Sequence, residues 1–233
     1  MFYNYHVARP EPSSNEPSRA GRPPSTSRAE ILDAARAVID RDGWDRLTIR
    51  RLAAEAGVSS TTVYHHVKDR QDLLLQLLDD HISQHLHMDL PVEPRDRIVV
   101  AFRAIHDTLA SWPRAAEVLS VDGLLGLLGP DAVGAVEVIV AGAVDCGCTP
   151  EQAVHLFRSL WYYTVGELVV RSRSAATVGA VDPGDGFNRF DPEQVPHLAG
   201  IGGAWPALAA RDTYATGLVA FLDGLLADLT RPR

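Results

Sequence analysis

Cysteine is nearly absent: Cys146 and Cys148, separated by one glycine, are the only two in 233 residues. Two are too few for a disulfide framework, and their spacing is not that of a zinc ribbon. They read as buried or semi-buried thiols, with redox sensing as the alternative. Aromatic residues are also scarce, at 7%. No run of about 18 apolar residues occurs, which argues against a transmembrane helix. The N-terminus lacks the basic-then-apolar layout of a secretory leader, so a cytoplasmic protein without a membrane partner is expected. Glycine-rich dinucleotide or phosphate loops, a Gly-x-Ser-x-Gly elbow and a His-Glu-x-x-His pair are all missing. That argues against an enzyme, so no catalytic residue and no cofactor is expected. An excess of positive charge is missing too, the net charge being -8.

What is present favours helices. Hydrophobic residues make up 46% of the chain, enough for a core, and Ala, Leu, Val and Arg dominate. The charge is unevenly spread. Residues 1–75 hold 11 Lys or Arg against 10 Asp or Glu, and residues 76–233 hold 11 against 20. A near-neutral head on an acidic body suits local, positioned contacts to phosphate, not indiscriminate coating of nucleic acid.

Residues 1–24 contain Pro10, Pro12, Pro17, Pro23 and Pro24 and few aliphatics. They read as a disordered arm, either without function or with Arg19 and Arg22 reaching DNA. Order is expected from Ser27, where Ser-Arg-Ala-Glu forms a capping box. Ile31, Leu32, Ala35, Val38 and Ile39 follow at helical spacing, and Gly43 ends the helix. Thr48 caps a second helix that Gly57 stops. Ser59 caps a short third, and Asp69 a fourth with Leu73, Leu74, Leu77 and Leu78 as its stripe.

Further helices are predicted from Arg95 to Ser111, from Asp131 to Gly147, from Pro150 to Arg173 and from Pro206 to Leu229, with a loop over residues 174–203. Thr149-Pro150-Glu151-Gln152 combines a capping box with proline at the first helical position. The predicted class is therefore all-α. A helix-turn-helix head over 25–78 precedes a larger helical domain over 79–233.

The stretch from Leu47 to Leu74 carries the chemistry. Two helices meet through a tight turn from Gly57 to Ser59, with Val58 plugging the gap between them. The outer face of the second shows Ser60, Thr61, Tyr64 and His65, small donors and flat rings suited to base edges and phosphates in a major groove. No carboxylate stands between Gly57 and Lys68, and Arg50, Lys68 and Arg70 flank the face with positive charge. Taken alone, the pattern also fits a three-helix core segment with a solvated face.

This segment closely resembles the N-terminal domain of the TetR family of repressors. The resemblance is carried by Thr48, Ala56-Gly57-Val58, Tyr64-His65-His66, Lys68 and Leu73-Leu74, in that order, and covers roughly residues 27–78. The His-Val-Lys form looks most like the tetracycline-repressor branch, although that branch often has proline where Thr61 stands here. The resemblance implies that Thr48 contacts phosphate and caps its helix, and that Arg50 reaches a base. It places Ser60, Thr61 and Thr62 at the groove floor, with Ser59 also among the DNA-binding residues, and Tyr64, His65 and His66 against the backbone or base edges. Lys68 and Arg70 are then expected to clamp the backbone.

The same resemblance implies a C-terminal domain that dimerises and takes a small molecule. Phe102, His106, Trp112, Phe157, Trp161 and Glu167 are the candidate effector contacts. The leucine-rich last helix, through Leu222 and Leu226, is the candidate intersubunit seam together with the helix from Pro150, and Gly217 and Gly224 would permit close approach. Packing within one subunit is the competing use of that stripe. His81 and His85, one turn apart, with His87 and Met88, invite a metal reading. Solvated or hinge-packing histidines are the preferred reading, and no metal is expected. The expected partners are a palindromic double-stranded DNA operator, a small lipophilic effector and a second copy of the chain. A constitutive DNA-binding protein without ligand is the alternative.

Overall fold

The computed structural model describes residues 26–115, 125–177, 187 and 190–231. The proline-rich arm, with Arg19 and Arg22, lies outside them, as does part of the loop expected over 174–203. Among the described residues there are helices and turns but no strand.

The head is built from short helices, each opened by a side-chain cap. Helix α1, Arg28–Asp42, begins with the Ser27–Glu30 capping box: the Ser27 hydroxyl accepts from Glu30 N, and the Glu30 carboxylate accepts from Ser27 N at 2.7 Å. It buries Ile31, Leu32, Ala35, Val38 and Ile39. Helix α2, Ile49–Glu55, is capped by Thr48; α3, Ser60–Tyr64, by Ser59; and α4, Arg70–His85, by Asp69. Each cap satisfies a backbone N–H that the helix leaves orphaned, worth about 1 kcal/mol. Gly57 sits at φ 66, a left-handed conformation that costs a side-chain-bearing residue more. It sets the sharp turn that α3 needs to leave α2.

The body packs α5 (Pro94–Ala110), α6 (Pro130–Asp145), α7 (Pro150–Thr177) and α10 (Tyr214–Leu229) around one core. Ile98, Phe102, Ile139, Leu156, Leu160, Leu218 and Leu222 are fully buried there. Complete burial of each large side chain contributes about 1.5–3 kcal/mol. Helices α5 and α6 meet closely because position 142 is glycine: a Cβ there would lie 2.8 Å from Ile98 and 3.0 Å from the Pro94 carbonyl.

Head and body share a core at their junction. The head cluster takes in Leu109, Trp112, Ala115 and Leu168 of the body, and α4 runs without interruption through residues 78 and 79.

The end of the chain departs from expectation. The helix expected from Pro206 to Leu229 is two helices, α9 (Trp205–Ala209) and α10, preceded by α8 (Pro196–Ile201). The break falls at 210–213, where Asp212 turns its carboxylate onto the N–H of Tyr214 at 3.0 Å and starts a new helix. Pro196 opens α8 inside the stretch expected to be loop. Helix α7 also runs four residues past Arg173, through Ala175 and Ala176, two strong helix formers.

Candidate DNA-reading head and effector cavity

Capping fixes the reading face. Ser59 Oγ holds Thr62 N at 3.1 Å and Thr62 Oγ1 at 3.0 Å, and Thr48 Oγ1 holds Arg51 N at 3.2 Å. With Val63 and Val67 buried beneath it, α3 is anchored by its inner side. Ser60, Thr61, Tyr64 and His65 are exposed on its outer side, as are Thr48, Arg50, Ser59, Lys68 and Arg70; Thr62 and His66 are half-buried. Tyr64 is 57% exposed, unusual for a large ring that has no structural task.

The basic residues divide into two sets. Arg41 and Arg51 are tied to Asp42 and Glu55 on the flank of the head. Arg70 donates to the Trp44 carbonyl at 2.6 Å and so also braces the turn after α1. Arg50 and Lys68, the latter the only lysine of the chain, make no side-chain hydrogen bond or ion pair among the described residues. The α3 surface is thus free of carboxylates and flanked by two cations that nothing in the head neutralises. Such a surface attracts phosphate.

In the body, the sequence candidates fall into four places. Phe157 and Trp161 stack at 6.1 Å and line a cavity with Ile82 of α4 and Leu86 just after it, Ile105, Thr108 and Leu109 of α5, Leu128 just before α6, and Ala132, Ala135 and Val136 in its first turns. Phe102 is fully buried in the core behind Phe157. His106 and Glu167 pair at 3.1 Å further along α5 and α7, and the His106 ring stacks on Tyr214 at 3.9 Å. Burial pushes the Tyr214 phenol up, far from ionisation. Trp112 lies in the junction with the head, its indole N–H bonded to Asp40 at 2.8 Å. Most of the cavity walls are aliphatic residues that carry no distinguishing signal in the sequence.

The cavity is small, about 40 Å³. Its walls are apolar; Thr108 is among the lining residues, and its buried hydroxyl has no hydrogen-bond partner among the described residues. Above the cavity, Asp79 of α4 accepts from the Gly129 N–H at 2.6 Å, placing a carboxylate at the N-terminus of α6.

Two other groups resolve differently from their alternatives. His81 is buried, with both ring nitrogens engaged by Arg36 and the Thr108 carbonyl, which leaves no lone pair for a metal. Cys148 is buried and Cys146 half-buried, and burial pushes both thiols up, away from the reactive thiolate. No helix among the described residues is long and apolar enough to cross a membrane.

Comparison with known proteins agrees with this geometry. Residues 31–77 match the model for bacterial regulatory proteins, tetR family. The transcriptional repressor DrrR1 of Streptomyces coeruleorubidus is 27% identical, across 91% of this chain and 82% of its own length. The class D tetracycline repressor of Escherichia coli is 35% identical over 65 residues, 28% of this chain and 30% of that one. Among solved structures, ActR of Streptomyces coelicolor in complex with actinorhodin superposes with a TM-score of 0.71 at 23% identity, covering 89% of this chain and 98% of that one. A TetR variant from Acinetobacter baumannii in complex with minocycline gives a TM-score of 0.64 at 18% identity, over 89% and 97% of the two chains. At such identities the structures speak for the fold alone. The matched segment falls on the helices that present Arg50, Tyr64 and Lys68, and the whole described chain follows the same all-helical plan: residues 31–77 are a helix-turn-helix head of the bacterial regulatory protein tetR family.

Proposed function

We propose that this regulator is a homodimeric repressor that reads a palindromic operator with α2 and α3 and is released by a small, mainly apolar effector. One observation carries the DNA-reading part. The outer face of α3 offers hydroxyls and rings with no carboxylate, beside Arg50 and Lys68, whose side chains have no partner among the described residues. In this reading α3 enters the major groove, and Thr48 and Lys68 fix its register on phosphate.

The effector site is the cavity between α4, α5, α6 and α7. At about 40 Å³ it is far below the roughly 300–1,000 Å³ of a drug-sized pocket. An effector therefore has to part these walls, moving α4, the helix that also carries the head. The lining exposes no polar atom, so the favoured effector is lipophilic, and the unpartnered Thr108 hydroxyl is a group that a polar substituent would meet once the walls part.

The dimer face is the outer side of α7 and α10. Helix α7 exposes His155, Tyr162 and Gly166 along one stripe, and α10 exposes Ala220, Phe221, Gly224 and Ala227. An added Cβ at Gly224 would meet nothing within 4 Å, so a neighbouring helix can approach there. Gly217 serves the subunit itself, facing the Tyr163 ring.

The small cavity equally suits a constitutive DNA binder, and a thermal-shift screen separates the two readings. With a panel of small aromatic and polyketide-like compounds, a true effector at a hundredfold its dissociation constant stabilises by about 2.7 kcal/mol. It is expected to raise Tm by several degrees and to lose that effect in a variant with Ala135→Trp filling the cavity. If no compound that releases DNA shifts Tm, the effector reading fails.

A further inference from the structure

The junction of head and body is closed by one buried imidazole. Arg36 of α1 approaches His81 Nδ1 at 2.7 Å. A guanidinium can only donate, so Nδ1 is the acceptor and the ring proton resides on Nε2. From there it is donated to the Thr108 carbonyl of α5 at 2.8 Å. Both bonds exist together only in the neutral ring of this one tautomer. The Ser111 hydroxyl donates to the same carbonyl at 2.7 Å.

Trp112, at the end of α5, closes the other side. It stands edge-on to His81, carries the Arg36 guanidinium over its face at 4.4 Å and bonds Asp40 of α1. His81 of α4 is therefore hydrogen-bonded both to the first helix of the head and to the helix lining the cavity.

We infer that neutral His81 positions the head on the body, and that protonating it unseats α1 and weakens operator binding in acid. This rests on the head being the DNA-binding part. A proton on Nδ1 would point at a cation 2.7 Å away and break the bond to Arg36. Two groups facing the ring are set against that proton, Arg36 from α1 and His85 from α4 with its ring 4.3 Å away; α5 contributes the neutral Ser111 and Trp112 and the Thr108 carbonyl, which favours the charged ring. Asp80, on α4, is the one nearby carboxylate that favours it, while Asp40 is engaged by Trp112.

Burial first, and the Arg36 and His85 charges after it, hold His81 below the ordinary imidazole value of 6.5. A depressed folded value means that the seating is fully present above about 6.5 and is lost as pH falls through the lower value of the folded protein.

His81→Asn separates this role from plain packing, because its amide oxygen can still accept from Arg36 but takes up no proton. The probe is a duplex selected by the wild-type protein from a random pool at pH 7.5. At that pH the variant is expected to bind within about threefold of wild type. Between pH 7.5 and 5.0 wild type is expected to lose at least about tenfold relative to the variant. The comparison cancels every other pH dependence that the two proteins share.

The His81 imidazole resonance, followed by NMR without DNA, is expected to titrate below 6.5. Should His81→Asn not fold, Arg36→Met replaces it: the stem still covers Trp112, the His81 titration moves up, and affinity at pH 7.5 is already reduced. Superimposable pH profiles for wild type and His81→Asn, or titration of His81 at or above 6.5, would overturn the inference. Failure to select any duplex would instead overturn the operator reading, and the titration would still decide the state of His81.

Discussion

Leu222→Glu is expected to destabilise the body, not to divide a dimer. The leucine stripe of α10 suggests an intersubunit seam, yet Leu222 and Leu218 are both fully buried within the single subunit, against α5 and α7. Leu226 is half-buried against the same cluster. A carboxylate at 222 would lose the leucine's apolar burial and meet no hydrogen-bond donor, a combined cost on the order of 3–5 kcal/mol. For a chain of this size each kcal/mol lowers Tm by about 2–4 °C, so thermal unfolding followed by circular dichroism is expected to drop by about 10 °C or more. Phe221→Glu is the counterpart. Its ring is 39% exposed on the outer side of α10, so the fold is expected to survive while sedimentation shows a monomer. A Leu222→Glu protein that melts like wild type but sediments as a monomer would place this stripe between subunits after all.

The second large effect is expected at the reading face. Arg50→Ala and Tyr64→Ala should each weaken operator binding by about 1–3 kcal/mol, roughly 5- to 150-fold. Neither should move the circular dichroism spectrum or Tm appreciably, because Arg50 has no partner within the chain among the described residues and Tyr64 is mostly exposed. Arg51→Ala is the neighbouring control. Arg51 is held by Asp42 at 2.5 Å, so its loss is felt as a modest change in stability and much less in DNA affinity. Gel-shift titration of the three variants checks this. Wild-type affinity in both Arg50→Ala and Tyr64→Ala would reject the assignment of the face.

The head was legible in the sequence because its signals are local. Ser27, Thr48, Ser59 and Asp69 are caps whose chemistry acts within three residues, and Gly57 marks a conformation that disfavours other residues. The face of α3 then follows from helical spacing alone. The body was legible only in outline, because its decisive facts are long-range. Whether Leu222 faces α5 or a second subunit depends on how α7 and α10 cross, which periodicity does not encode.

The effector candidates show the same limit. Phe157 and Trp161 line the cavity, while Trp112, equally aromatic, lies just past the end of α5 and faces Asp40 and Arg36 in the junction. His81 and His85 have the spacing of metal ligands, and only the approach of Arg36, 45 residues earlier in the chain, reveals a different use. The break before α10 was hidden because Asp212 and Thr213 interrupt a run that is otherwise rich in alanine and leucine.

The most direct measurement of the DNA-reading account compares one duplex carrying both half-sites with a duplex carrying one, over a range of salt. Two heads related by a two-fold axis require half-sites about one helical turn apart, roughly 10 base pairs. The full site should bind at least about a hundredfold more tightly than the single half-site, because the second contact becomes intramolecular. Its affinity should fall steeply with salt as Lys68 and Arg50 on both heads displace counterions. Equal affinity for the half-site and the full site, with a shallow salt dependence, would contradict a dimeric reader.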